Sequence, residues 1–143
     1  MKSGLYSLIA ITLLCCPVHA ESLFKGPVEA VAVEVIDGDT FRADALVWPG
    51  HSVRVNIRLR GIDAPEMHAR CATEREAALV ARDALARLIA DGRLTLSNIG
   101  GAKYYGRVLA DVATLGGMPV AEAMLAEGVV RPYRGQRRGG WCG

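Results

Sequence analysis

The sequence predicts an α+β fold made mainly of β-strands, in which five strands form a barrel and two helices pack on it. Apolar and polar residues alternate over residues 28–36 and again over residues 53–60, the period-two pattern of half-buried strands. Residues 78–89 instead carry apolar side chains at helical spacing. A chain of 143 residues is one domain in length and can bury a single modest core.

The first twenty residues have the pattern of a secretory signal peptide. Lys2 supplies the positive charge, residues 5–14 are apolar, and small residues precede a cleavage point after Ala20. The apolar run is too short for a membrane-spanning helix, which needs roughly 20 residues. Neither Cys15 nor Cys16 follows a small residue, which disfavours a lipoprotein. We therefore expect a signal peptide at 1–20 and a mature domain at 21–143. The mature protein would be a secreted or periplasmic monomer without stable membrane association.

The charge balance excludes a uniformly basic nucleic-acid-binding surface. The formal net charge is +2, and removal of Lys2 with the signal leaves 16 basic and 15 acidic residues. Any surface for nucleic acid must therefore be local. The tail is basic, and it is either a solvated end or a segment that grips a phosphate backbone. Its basic and aromatic side chains are Arg131, Tyr133, Arg134, Arg137, Arg138 and Trp141.

The first half of the mature chain predicts three strands. Residues 28–36 form the first and residues 40–45 its partner, because Asp37-Gly38 between apolar runs is a strong hairpin signal. We expect Asp39 to open the second strand and not to lie at the apex of the turn. A loop over residues 46–52 leads into the third strand.

The second half predicts helix, strand, strand, helix. Thr73 and Glu76 match a capping box, and strands follow at residues 94–99 and 108–115. Pro119 suits the first turn of a short helix over residues 120–127. Five strands, all expected to be antiparallel, with helices at one end are most economically a barrel of the OB type, which often binds nucleic acid on one face.

The mature chain keeps two cysteines, Cys71 and Cys142. An even pair in an exported protein predicts a disulfide, and the alternative is two free thiols with a loose tail. A zinc site is disfavoured, because no other cysteine and no paired histidine spacing accompanies them.

The third strand leads into a segment that can hold a cation beside an anion. Arg58 lies near the end of the strand, Gly61 stops the strand, and Asp63 and Glu66 lie on either side of Pro65. The proline restricts its own φ angle and the residue before it, so the corner is stiff. The competing interpretation is a solvated turn with ordinary surface charges.

Three motifs occur in a fixed order along the chain. They are Val35-Ile36-Asp37-Gly38-Asp39-Thr40, then Ile62-Asp63-Ala64-Pro65-Glu66 with Arg58 before it, then Tyr105-Gly106-Arg107. Each motif alone is weak, but the ordered set covers most of the mature chain. In this set the chain resembles the staphylococcal nuclease (thermonuclease) family.

The resemblance implies a calcium-dependent nuclease that hydrolyses phosphodiester bonds of DNA and RNA and leaves 3′-phosphates. Asp39, Asp63 and the backbone carbonyl of Ala64 would bind Ca²⁺, and such all-oxygen ligands suit a hard divalent cation. Arg58 and Arg107 would clamp the scissile phosphate, since a guanidinium donates two hydrogen bonds to phosphate and keeps its charge.

Glu66 and three tyrosines complete the implied site. Glu66 would act through a water on the cation and would be the general base or the residue that positions the attacking water. Tyr104, Tyr105 and Tyr133 would contact the substrate. The chain departs from the family at Lys103 and Tyr104, where the family has an acid and a basic residue. It also lacks the family's third helix, in whose place the basic tail stands.

The alternative function is a catalytically inactive OB-fold module that binds nucleic acid or a protein, because a fold alone does not specify an activity. An enzyme is favoured because a binding module has no need to keep two arginines and three acids together. These five side chains are Asp39, Arg58, Asp63, Glu66 and Arg107.

Overall fold

A computed structural model describes residues 23–102 and 105–143. The predicted signal peptide lies outside these residues. The elements are β1 (Val28–Asp37), β2 (Thr40–Trp48), β3 (His51–Leu59), β4 (Ile62–Asp63), α1 (Ala72–Leu88), β5 (Arg93–Gly101), β6 (Arg107–Thr114), α2 (Val120–Ala126) and β7 (Arg131–Pro132). The barrel is closed in the order β1-β2-β3-β6-β5, and β4 pairs with β7 separately. The predicted five-stranded OB-like fold with two helices is confirmed, and the described residues after α2 form no third helix.

One pairing corrects the expectation of an all-antiparallel sheet. β3 and β6 run parallel, with Asn56 opposite Arg107 and Leu59 opposite Ala110. The other neighbours in the barrel are antiparallel. A parallel pair requires a long crossover connection, which here contains α1 and β5. This pairing closes the barrel and brings the start of β6 beside β3.

The predicted loop over residues 46–52 is wrong, because most of it is strand. β2 continues to Trp48, and Pro49 and Gly50 alone connect it to β3. Gly50 has a φ of +76°, which a residue without a Cβ adopts easily. The period-two pattern does not indicate this extension, because Leu46, Val47 and Trp48 are three consecutive apolar residues and all are exposed.

The cap of α1 also differs from the predicted capping box of Thr73 and Glu76. The residue before the helix is Cys71, whose Sγ accepts the backbone N–H of Glu74 at 3.4 Å. The apolar face is as expected, since α1 packs on the barrel through small side chains that allow a close approach. Its buried residues are Ala78, Ala81, Ala84 and Leu85.

The core fills the barrel and continues under the two helices. Burial of each large apolar side chain stabilises the fold by about 1.5–3 kcal/mol. The large side chains that are fully buried include Phe41, Ile57, Leu59, Ile62, Leu85, Leu96 and Met124.

The turn between β1 and β2 consists of Gly38 and Asp39, so Asp39 lies in the turn and does not open β2 as predicted. The side chain of Asp37 accepts the N–H of Asp39 at 3.0 Å, which fixes the turn. A Cβ on Gly38 would lie 2.6 Å from the Cβ of Ala81 and 2.9 Å from the Cβ of Ala64. The missing side chain therefore lets α1 and the segment after β4 approach Asp39.

Replacing Gly38 by Ala should lower the free energy of unfolding by about 1–3 kcal/mol, the usual cost of overpacking. Gly116→Ala is the matched control, because its Cβ would meet no atom nearer than Thr114 Oγ1 at 3.9 Å. Urea unfolding of both variants measures the difference. Equal losses would show that the contact with α1 does not require a glycine.

Candidate active site

Asp39 is a buried carboxylate whose partners come from three segments. Its Oδ1 accepts the hydroxyl of Thr40 at 2.8 Å, and its Oδ2 accepts the N–H of Ala64 at 3.0 Å. Arg58 of β3 forms an ion pair with Oδ1, and the two side chains are 13% and 5% exposed for Arg58 and Asp39. A charge this buried is tolerated only when it is paired and hydrogen-bonded. These contacts hold Asp39 in one orientation.

Arg58 connects Asp39 to a longer series of charges. Its Nη2 lies 3.5 Å from Oδ1 of Asp63. Arg138 of the tail lies on the other side, with Nε 2.9 Å from the same Oδ1 and Nη1 2.5 Å from Oε1 of Glu66. Acids and arginines thus alternate, and we call this series the ion-pair chain. Its members are Asp39, Arg58, Asp63, Arg138 and Glu66.

Four members of the ion-pair chain, all except Asp63, line a cavity of about 960 Å³. Arg107 reaches the cavity from the first residue of β6, where the parallel pairing places it opposite Asn56 of β3. Both predicted phosphate-binding arginines therefore meet at one opening, although they are distant in sequence. The charged and aromatic residues that line it are Asp37, Asp39, Arg58, Arg60, Glu66, Arg107, Tyr133, Arg134 and Arg138.

A disulfide anchors the tail beside this cavity. Cys71 and Cys142 are bonded, with a sequence separation of 71 residues. The guanidinium of Arg131 stacks on Trp141, 3.7 Å from the ring centroid. The tail is therefore attached to the folded domain, although most of its residues are exposed to solvent. The disulfide indicates an oxidising environment.

Acidic groups are crowded at this end of the barrel. Burial, and then the charge of Asp39, raises the pKa of Asp37 to about 6. Partial burial opposes the charged form of Arg138, but the carboxylates of Asp63, Glu66 and Asp39 outweigh it and raise the pKa of Arg138. The first shift favours the neutral form of Asp37, and the second favours the charged form of Arg138.

The donors at this site fit a hard divalent cation in their chemistry. Asp39 and Asp63 offer carboxylate oxygens and Ala64 offers a backbone carbonyl, the ligand types that calcium prefers. Each carboxylate is bound by a guanidinium, so a cation has to compete with arginine. Across the described residues, one group of three potential ligand side chains lies within 4.8 Å, and two of its members are joined in the disulfide. That group is Cys71, Glu74 and Cys142.

The predicted tyrosines are distributed unevenly. Tyr133 lines the cavity, with its ring centroid 5.8 Å from Cζ of Arg138. Tyr105 is fully exposed and does not line the cavity. Tyr104 lies outside the described residues. Sequence reasoning missed Arg138 as a member of the site, and the available signal was Cys142 four residues later, which anchors the tail.

The fold and site geometry agree with a comparison to known families. A sequence model described as "Staphylococcal nuclease homologue" matches residues 56–139, more than half of the chain. This chain belongs to the staphylococcal nuclease family. It carries a nuclease-like domain of a family that is generally calcium-dependent. No curated protein matches the chain. The matched region of this staphylococcal nuclease homologue begins in β3, so Asp39 joins the site from outside it, through the β1–β2 turn.

The lengths and hydropathy of the helices bear on membrane insertion. None of those in the described ranges is long and apolar enough to cross a bilayer.

Proposed function

We propose that this staphylococcal nuclease homologue is a secreted, calcium-dependent nuclease that hydrolyses phosphodiester bonds of DNA and RNA and leaves 3′-phosphates. The observation that carries the proposal is the meeting of Asp39, Arg58, Glu66 and Arg107 at one cavity. Burying an ion pair costs desolvation free energy that apolar packing would avoid. The buried pair of Asp39 and Arg58 is therefore best explained by chemistry at this cavity.

Arg58 and Arg107 bind the scissile phosphate in this proposal. A guanidinium matches two phosphate oxygens and keeps its charge at any physiological pH. Arg58 is already oriented by Asp39 and Asp63, so less conformational freedom is lost when it binds. Both arginines stabilise the negative charge that develops on the phosphate oxygens in the transition state.

Asp39, Asp63 and the carbonyl of Ala64 hold the cation. When bound, a calcium ion supplies positive charge that polarises the phosphate. Glu66 has a side chain that is 59% exposed at the outer end of the ion-pair chain. From there its carboxylate can orient a water in the cavity or accept its proton.

The protein from residue 21 onward should cleave single-stranded DNA and RNA with calcium and should stop when a chelator is added. Asp39→Asn should lose activity at least about 100-fold, because the charge that attracts the cation is gone. Its side-chain oxygen can still accept the N–H of Ala64, and Arg58 keeps Asp63 as a charged partner, so we expect the fold to be kept. Asp91→Asn removes an exposed acid and serves as the control.

Two results would contradict this proposal. Wild-type protein that binds the oligonucleotides without cleaving them would favour the inactive binding module. An Asp39→Asn variant that is fully active at low calcium would remove Asp39 from the cation site. Enzymatic removal of a terminal phosphate from the products tests whether they carry 3′-phosphates.

Export is the remaining part of the proposal. The signal pattern at residues 1–20 supports it, and so does the disulfide, because such bonds persist in oxidising compartments. Intact mass measurement of the exported protein should give a chain that begins at Glu21 and carries one disulfide. A retained signal segment would contradict the cleavage.

A further inference from the structure

The proposed function does not explain Arg138. Its guanidinium contacts Asp63, a proposed cation ligand, and Glu66, the proposed base. The side chain of Arg138 is 44% exposed, whereas that of Asp63 is 9% exposed. Asp63 does not line the cavity, although Arg138 does. Arg138 therefore covers a carboxylate that the cation would need.

We propose that Arg138 is a built-in competitor of the divalent cation and determines the cation affinity of the site. This inference rests on the proposed function. Oδ1 of Asp63 is 2.9 Å from Arg138 and 3.5 Å from Arg58, so the shorter contact is the one made by the tail. A cation that binds this oxygen competes with Arg138 for the same negative charge, and the binding of either weakens the binding of the other by the same factor.

The disulfide makes this competition effective. Arg138 lies four residues before Cys142, and Cys71 caps the helix that follows Glu66. The tail is thus tied close to the acids that its arginine binds, which raises the effective concentration of the guanidinium there. β7 adds a second attachment, because its backbone pairs with that of β4, with Arg131 opposite Asp63. Opening the bridge should free the tail and weaken the competition.

Calcium titration by calorimetry, without nucleic acid, tests the proposal. Arg138→Gln should tighten calcium binding by about tenfold, within the roughly 5- to 150-fold range of coupled sites. Arg137→Gln removes the same charge from the neighbouring residue, which forms no ion pair within the described ranges. It should change affinity by less than about twofold, since salt screens exposed charges. Calcium should also raise the melting temperature more in Arg138→Gln than in wild type.

A disulfide-free variant tests the tether. Cys71→Ser with Cys142→Ser keeps an oxygen that can cap α1. In this background, the effect of Arg138→Gln on calcium affinity should shrink to less than about threefold, because contacts that act together are not additive. A full tenfold effect there would remove the disulfide from the proposal.

The outcomes separate this inference from the proposed function. Equal tightening in Arg137→Gln and Arg138→Gln would reduce the effect to net charge and overturn the competition. Unchanged calcium affinity in Arg138→Gln would overturn it too, while calcium-dependent cleavage by wild type could still stand. Failure of both wild type and Arg138→Gln to bind calcium would overturn the cation site and this inference together.

Discussion

Arg107→Ala should lower the turnover of single-stranded DNA by about 100- to 1,000-fold and weaken the binding of an uncleavable oligonucleotide much less. The reason is that Arg107 is expected to act most strongly on charge that develops only in the transition state. Glu66→Gln, which removes a charge without changing the shape of the side chain, should show the same separation of turnover from affinity. Single-turnover kinetics and fluorescence anisotropy measure the two quantities.

Matched controls exist for both substitutions. Arg93→Ala removes an exposed arginine that opens β5, as Arg107 opens β6. Glu76→Gln removes an exposed acid on α1. Both controls should keep nearly full turnover. If affinity and turnover fell by the same factor in Arg107→Ala or Glu66→Gln, the transition-state role would be wrong and the binding module would be favoured.

Loss of the Cys71–Cys142 disulfide should lower the free energy of unfolding by about 4 kcal/mol. The bridge spans 71 residues, and closing so long a loop restricts the unfolded chain strongly. A typical domain is stable by only about 5–15 kcal/mol, so this is a large share. The melting temperature should fall by roughly 10–20 °C. Thermal unfolding of wild type with and without reductant measures the change.

The variant with both cysteines replaced by Ser provides the control, because reductant should leave its melting temperature unchanged. Alkylation of non-reduced wild-type protein followed by mass measurement gives an independent check. Two alkylated cysteines in exported protein would contradict the bridge. A reduced protein that melts at the temperature of the oxidised form would show that the tail adds little to stability.

The sequence predicted the elements well where a local signal defines them. The period-two pattern of β1 and β3 and the turn that follows β1 depend on neighbouring residues only, and so does the apolar face of α1. Local signals gave a wrong start for α1, whose cap the tertiary structure shows to be a different residue. Thr73 and Glu76 have the composition of a capping box, but the helix begins at Ala72 and its cap is Cys71, which is bonded to Cys142.

The candidate site also has residues whose proximity the local sequence predicts and residues that only the tertiary structure brings together. Asp63, Ala64 and Glu66 lie on one stiff segment, so their proximity could be predicted from the sequence. The place of Arg107 depends on the parallel pairing of β3 with β6, which no local pattern reveals. Tyr105 is fully exposed and does not line the cavity, so its contact with the substrate stays a prediction.

By itself, the sequence determined the mainly β barrel with two helices, the presence of two cysteines able to form a bridge, and the acids and arginines from which a site could form. The tertiary structure alone decided how those charges are arranged. Arg138 is 72 residues from Glu66, and their contact depends on barrel closure, on the β4–β7 pair and on the disulfide. Ion pairs form between groups that are close in space, and for distant residues that closeness is a property of the whole fold.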